Sequence, residues 1–473
     1  MQWRSTLTRP ALVSVVIFFF CAGTFFLTQN GCGATHALVR HVVIIVQENR
    51  TPDNLFQDPA LISRGADIVS SGINSKGQTL PLAQLDLGTN GSKPDHYDIS
   101  HSHSAFLLMC HLNPATHVCA MDGADLVGTG CQVGYPACQP PNPQFMFVNP
   151  ADVQPYFQLA EQYTFGDRMF QTNQGPSFPA HQFIISGTSA PTATSNLFAA
   201  ENPLNMDSTG CTAPPTQKVV MIDPQGEELT SQYPCYEHAT LTDLLNQKSI
   251  SWRYYAPLAG SIWTAPNAIQ HMCGPNAAPP NATACEGADW TNNVVLATAQ
   301  NPAPILTDIA SGHLPAVSWV IPNGANSDHA QGNEGTGPSW VASIVNAIGN
   351  SPYWSDTVIF ITWDDWGGWY DHVPPPKMLN SYEYGFRVPL IVVSPFAKPA
   401  YISHVTHDFG SILKFVEETF GLPSLGYADV PADDFSDCFN FSQAPIRFQT
   451  IAAPLKANYF LNDRRPPSDP DDD

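Results

Sequence analysis

Residues 358–361 (Val-Ile-Phe-Ile) form an unbroken apolar run that leads through Thr362-Trp363 to adjacent carboxylates, Asp364 and Asp365, and a Gly367-Gly368 turn. A strand that is apolar on both faces does not suit a sheet with one wet side. It belongs in a parallel sheet covered by helices on both faces. Three further runs share the pattern, at 41–47, 316–321 and 388–394, and the first of them ends on Glu48-Asn49-Arg50. Between the runs lie helical repeats. Ser339, after Pro338, is placed to cap a helix with Val341, Ile344, Val345 and Ile348 on one face. Ser411 is placed to cap another, with Ile412, Phe415, Val416, Thr419 and Phe420 at helical spacing and Gly421 and Pro423 to stop it. The expectation is an α/β fold with a mostly parallel central sheet and helices on both faces. The strands are far apart in the chain. The Cys/Pro/Asn-rich stretches 110–150, 200–235 and 262–300 therefore read as excursions from one domain, such as a lid, rather than as separate domains.

Ligands bind beyond the carboxyl ends of strands in open α/β sheets. Paired carboxylates there suggest a hard-cation site, against the bland alternative of a solvated strand end before a Gly turn. The charge balance bears on this. Forty-one acids against 19 bases leave a formal charge of −22, which opposes long-range attraction to nucleic acid or to an anionic membrane. An anionic substrate on such a chain needs a local positive centre.

The N-terminus has the pattern of an export signal. Arg4 and Arg9 precede an uncharged apolar run from Ala11 to Leu27, and small residues follow it up to Ala34 and Ala37. We expect a signal peptide over 1–34, with an uncleaved anchor as the alternative, and hence a secreted or periplasmic protein. No Arg-Arg pair precedes the run, which favours the general secretory route. Cys110/Cys119, Cys131/Cys138 and Cys273/Cys285 are close pairs in loops and read as staples formed in an oxidising compartment. Zinc is the rival, but the chain has no C-x-x-C and no paired-His motif. The acidic end, 461–473, reads as a disordered tail.

Five polar clusters sit at strand ends or in Gly/Pro turns: Glu48-Asn49-Arg50 with Asp53; Asp98-Ile-Ser-His101-Ser-His103; residues 173–179, with Gly175-Pro176-Ser177; Ser327-Asp328-His329; and Asp364-Asp365. Hydrolysis of a phosphate ester needs a nucleophile, a positive centre for the phosphoryl oxygens and an acid for the leaving group. A serine in a rigid turn beside a cation held by Glu48, Asn49, Asp364 and Asp365 supplies the first two, and His329 or His101 the third. Each cluster also has a structural reading. Gly175-Pro176-Ser177 can simply start a helix with Ser177 as its cap, and an Asp-His pair can be an ordinary hydrogen bond. The absence of G-x-S-x-G and GxxxxGK[ST] disfavours an α/β-hydrolase elbow or a P-loop.

In order and wording the clusters resemble the phosphoesterase family of bacterial phospholipases C and acid phosphatase A. The family's opening Glu-Asn-Arg-Ser/Thr-x-Asp-x-x-Phe is matched from Glu48 to Phe56, and its Met-Asp-Gly at Met121-Asp122-Gly123. Its Leu-Ala-x-x-Phe/Tyr-Thr-x-x-Asp-x-x-Phe is matched from Leu159 to Phe170, and its Gly-Pro-Ser/Thr-x-Pro from Gly175 to Pro179. Leu-Pro-x-Val-Ser-Trp is matched from Leu314 to Trp319, and Ser-Glu-His by Ser327-Asp328-His329. Asp-Glu-x-Gly-Gly-x-x-Asp-His-Val-x-Pro-Pro is matched from Asp364 to Pro375, followed by Gly-x-Arg-Val-Pro from Gly385 to Pro389.

The resemblance spans residues 41 to 423. It implies an alkaline-phosphatase-like three-layer sandwich, a single catalytic domain over 38–460, and hydrolysis of phosphoric esters. Carried over residue by residue, it makes Ser177 the nucleophile. Glu48, Asn49, Asp364 and Asp365 surround one divalent metal ion, and His329 lies near the reacting phosphate. His101 is the weaker transfer, because His103 competes for its register. The all-oxygen ligand set points toward calcium, magnesium or manganese over zinc. The implied substrate is a phospholipid or a small phosphoester, with membrane-surface contact through the substrate and no nucleic acid.

Two departures stand out. Asp365 replaces the family's Glu, one methylene longer. Ala180-His181 stands where the phospholipases carry Asn-Arg, which weakens the transfer of phospholipid specificity. A broad acid phosphatase is the alternative within enzymes, and a non-catalytic surface protein on the same scaffold is the alternative outside them.

Overall fold

The computed structural model describes residues 38–88, 97–113, 115–116, 118–131, 138–205, 208–331, 334–376 and 381–468. The expected signal segment, 1–34, and the last residues of the acidic tail lie outside this set. Eight strands form the central sheet: β1 His41–Gln47, β2 Thr164–Gly166, β3 Trp252–Ala256, β4 Val294–Leu296, β5 Val317–Val320, β6 Thr357–Trp363, β7 Leu390–Val393 and β8 Tyr401–Ser403. Their order is β4-β3-β5-β1-β6-β7-β2-β8. Every neighbouring pair is parallel except those made by β7, which runs against both β6 and β2. The four strands expected from apolar runs are β1, β5, β6 and β7.

Both faces of the sheet are covered. Six helices matter here: α1 His103–Cys110, α2 Gln154–Gln162, α3 Ser177–Ser186, α4 Pro304–Ser311, α5 Gly337–Gly349 and α6 Phe409–Phe420. Phe360 and Trp363 are three positions apart on β6, so they point to opposite faces. Phe360 packs edge-on against Phe415 of α6 at 5.1 Å, and Trp363 against Tyr156 of α2 at 5.1 Å. All seven residues of β6 are buried, which is why the run carries no polar alternation.

Both expected helix caps shift. The cap of α5 is Thr336, and Pro338 lies in its first turn, where a missing N–H costs nothing. Ser339 is inside the helix, and its hydroxyl accepts from Leu455 N (3.3 Å). The cap of α6 is Asp408, and Ser411 is the reciprocal partner of a capping box. Gly421 ends α6 in the left-handed conformation, as its sequence position implies.

The three close cysteine pairs are disulfides, a fourth joins Cys211 to Cys235, and Cys438 is the free cysteine among the described residues. Residues 461–468 of the expected tail pack on the domain. Arg464 donates to the Ala299 and Gln300 carbonyls, and Ser468 O accepts from Gly324 N.

Candidate active site

The carboxyl ends of β1 and β6 create the centre of the site. The two strands are in register from His41↔Thr357 to Gln47↔Trp363, so Glu48-Asn49 emerges beside Asp364-Asp365. Asp364 N donates to Gln47 O (3.0 Å), and Asn49 N donates back to Asp364 Oδ1 (3.1 Å). Asn49 sits at φ 60°, a left-handed conformation that Asn tolerates better than most residues. Gly367 turns the chain away at φ 62°. A Cβ there would lie 2.4 Å from Asn49 O, so the double-glycine turn is what lets the two strand ends touch.

Ser177 is the first residue of α3, and the cap position before it is Pro176, so Ser177 is not the helix cap. Its hydroxyl donates to Asp365 Oδ2 (3.2 Å), while Gly367 N holds Asp365 Oδ1 (2.7 Å). Asn202 takes over the helix start, accepting from Phe178 N (2.9 Å). The loop before Ser177 is fixed by Gly175, where a Cβ would meet Ala200 O and the Tyr382 hydroxyl at 2.1 Å each.

The histidines divide. One end of the Asn49 carboxamide lies 3.1 Å from His101 Nε2 and 3.2 Å from His329 Nε2. The other end lies 3.0 Å from Asp364 Oδ1 and 3.3 Å from Glu48 Oε2. His101 Nδ1 is 2.9 Å from Ile99 O, and His329 Nδ1 is 3.2 Å from Gln331 O. His103 is held elsewhere, on Glu228 and on Gln174 Oε1. Of the two competing registers it is therefore His101 that meets the cluster. Asp328, between Ser327 and His329, turns into the core. It accepts from the Tyr156 hydroxyl (2.8 Å) and Trp363 Nε1 (3.0 Å), and burial pushes its pKa up to about 6. Arg50 Nε donates to the Asp328 carbonyl (2.8 Å), which pins the backbone that carries His329.

One residue that enters the cluster was not among the sequence candidates. His181 lies one helical turn after Ser177 on α3, and its Nε2 is 3.3 Å from Glu48 Oε1 and 3.9 Å from Asp364 Oδ2. Glu48, His181 and Asp364, all buried, can together hold a metal ion. The i, i+4 spacing from Ser177 was the available signal.

The donor set fits a cation. Asp364 Oδ2 has no hydrogen-bond donor, and the Asn49 carbonyl, when turned toward the acids, puts its oxygen 3.3 Å from Glu48 Oε2 and 3.0 Å from Asp364 Oδ1. The amide nitrogen then donates to both histidine Nε2 atoms, which accept because each ring carries its proton on Nδ1, facing a backbone carbonyl. The nitrogen of His181 makes the set mixed, which removes the all-oxygen argument for calcium, magnesium or manganese.

A model of the phosphoesterase family matches residues 39–423. The chain belongs to the phosphoesterase family. It is accordingly a phosphoric ester hydrolase. Similar family proteins include phospholipase C B of Mycobacterium tuberculosis, 23% identical over 457 residues that cover 86% of this chain and 78% of the relative. The non-hemolytic phospholipase C of Pseudomonas aeruginosa is 25% identical over 456 residues, covering 85% and 57%. Solved structures with remote likeness include the lipoteichoic acid synthase LtaP from Listeria monocytogenes (TM-score 0.34, 10% identity, 61% and 70% coverage). Another is a protein of the alkaline phosphatase superfamily from Vibrio parahaemolyticus (TM-score 0.32, 10% identity, 58% and 63% coverage).

Asp371 and His372, the last polar residues of the family signature, lie behind the cluster. Arg387 donates to Asp371 through Nε (2.8 Å) and Nη2 (3.0 Å) and to the Asp67 and Asp167 carbonyls (2.8 Å each). His372 bridges Asp53 (2.7 Å) and Asp67 (2.9 Å). Arg387, Asp53 and Asp371 are fully buried. Arg387→Ala removes the bidentate partner of the buried Asp371 carboxylate, so we expect a loss of about 3–5 kcal/mol in denaturant unfolding.

A cleft of ≈ 620 Å³ opens beside the cluster, lined in part by Asp98, His101, Pro176, Glu201, Asn202 and Leu204. Burial first, and then the Glu228 carboxylate, push Glu201 up to about 7. Below that pH the side chain is neutral, and above it the cleft gains a negative charge. We expect kcat/KM for an anionic phosphoester to fall roughly 10-fold as pH rises through about 7, the order of ~1.4 kcal/mol of like-charge repulsion. A pH–rate profile of Glu201→Gln should lack that descending step.

Proposed function

We propose that the protein is an exported, metal-assisted serine phosphoesterase that carries out phospholipase C-type cleavage. The observation that carries this reading is the Ser177 hydroxyl, which stands one position past the helix cap and donates to Asp365 beside Glu48, Asn49 and Asp364. From there Ser177 Oγ attacks phosphorus in line and its proton passes to Asp365 Oδ2. The ester oxygen departs and a phosphoserine forms. The N-terminal end of α3 adds a favourable dipole for the phosphoryl oxygens. His101 holds the Asn49 carboxamide in orientation. His329, whose Nε2 borders the same carboxamide, protonates the leaving alcohol from its imidazolium form, having taken a second proton from solvent at Nε2 and turned that N–H from the carboxamide to the ester oxygen once substrate fills the adjoining space. Water then attacks the phosphoserine and restores Ser177. A divalent cation held by Glu48, Asn49, Asp364, Asp365 and His181 would supply the positive charge that balances the equatorial oxygens.

A lipid substrate is supported by the surface around the cleft. Leu107 and Leu108 are exposed on α1, Leu112 and Val118 on the disulfide-closed segment after it and Leu126 beyond that segment, and Leu204 is exposed on the cleft wall itself. Export is supported by the N-terminal apolar segment and the four disulfides. The second reading, a broad acid phosphatase, is favoured by Ala180-His181 in place of the phospholipases' Asn-Arg. One assay separates the two: hydrolysis of a phosphatidylcholine analogue and of a simple phosphomonoester, each with and without chelator. Preference for the monoester by kcat/KM sinks the phospholipase reading.

A further inference from the structure

A second cluster of metal-binding side chains lies apart from Ser177 and the strand-end acids. His407, Asp437 and Cys438 meet where the segment after β8 packs against the loop that follows α6. His407 Nε2 is 3.5 Å from Asp437 Oδ1 and 3.8 Å from Cys438 Sγ, and Cys438 Sγ is 3.4 Å from Asp437 Oδ1. These three edges match a tetrahedral face. Ligand atoms on bonds of about 2.0–2.3 Å stand roughly 3.3–3.8 Å apart in that geometry. Ser403 Oγ also approaches His407 Nε2, at 3.0 Å. Three heteroatoms thus converge on one ring nitrogen, which can make only one hydrogen bond along its own axis. On the other side of the ring, His407 Nδ1 is 2.9 Å from Asp433 Oδ1. A carboxylate on the far nitrogen is the usual way a metal-binding imidazole is oriented.

We propose that His407 Nε2, Asp437 and Cys438 Sγ bind a structural zinc ion, with Asp433 orienting the imidazole and water or Ser403 Oγ in the fourth position. Sulfur, nitrogen and oxygen together suit zinc and exclude calcium and magnesium. Binding releases the thiol proton to solvent, and thiolate plus carboxylate then neutralise the ion. Asp437 remains partly exposed, which leaves an entry path. The ion would tie the loop carrying Phe435, which packs on Phe360 of β6 at 4.8 Å, to the edge of the sheet at β8.

The test is a cobalt(II) titration of chelator-treated full-length protein. A cobalt–thiolate charge-transfer band in the near ultraviolet can arise only from a cysteine ligand, so the strand-end site does not contribute to it. We expect the band in the wild type, its displacement by zinc, and its loss in Cys438→Ser and His407→Ala. Cys438→Ser should bind one equivalent fewer and keep its phosphoesterase activity. The proposal is overturned if folded wild type at saturating cobalt shows no band. It is equally overturned if the band survives in Cys438→Ser or is unchanged in His407→Ala. None of these outcomes bears on Ser177.

Discussion

Ser177→Ala should lower kcat on any phosphoester by roughly 10⁴-fold or more, the scale on which losing the nucleophile of a concerted unit acts. The hydroxyl donates to Asp365, and the helix cap is Pro176 rather than Ser177. Removal of the hydroxyl should therefore cost at most about 1.5 kcal/mol of stability, and a thermal melt alongside the rate assay keeps the two effects apart. A variant that folds and still turns over at near-wild-type rate would remove Ser177 from the mechanism and leave the structural reading of the Gly-Pro-Ser turn standing.

Asp364→Ala should have the second largest effect, and on two readouts. One Asp364 oxygen positions Asn49 N, and the other has no donor. The side chain therefore both shapes the cluster and offers a lone pair to a cation. Turnover should fall at least as far as it does when the wild type is stripped by chelator. Cation-induced stabilisation, about 2.7 kcal/mol at a free concentration about 100 times Kd, should be lost. In chelator the variant should be no less stable than the wild type, because the mutation removes one of several buried like charges. A variant that is still stabilised by cation to the wild-type extent would place the ion elsewhere.

The sheet was legible because its strands are fully buried, and full burial writes an uninterrupted apolar run into the chain. The paired acids were legible for the same reason: two charges directly after such a run stand out. Cap positions were less so. Ser339 and Ser411 have the right chemistry, but Thr336 and Asp408 precede them and stand immediately before the first residue of each helix. His181 was legible only as a departure from a pattern. Its spacing from Ser177 puts it on the same helix face, yet nothing local says that Glu48, 133 positions earlier, lies within 3.3 Å of it.

The sequence by itself determined the parallel α/β core, the strand ends that carry Glu48-Asn49 and Asp364-Asp365, the disulfide-closed loops and the family. All of these follow from local composition, spacing or motif wording. Tertiary structure decided the rest. It aligned β1 with β6 so that four polar residues separated by more than 300 positions converge. It turned the Ser177 hydroxyl to Asp365 instead of its own helix, and chose His101 over His103 for the Asn49 carboxamide. It also drew His181 into the acids and set Asp437 and Cys438 at one ring nitrogen of His407 and Asp433 at the other. Each outcome depends on which segments pack together, and the same short residue patterns fit other partners equally well until the register of the sheet is set.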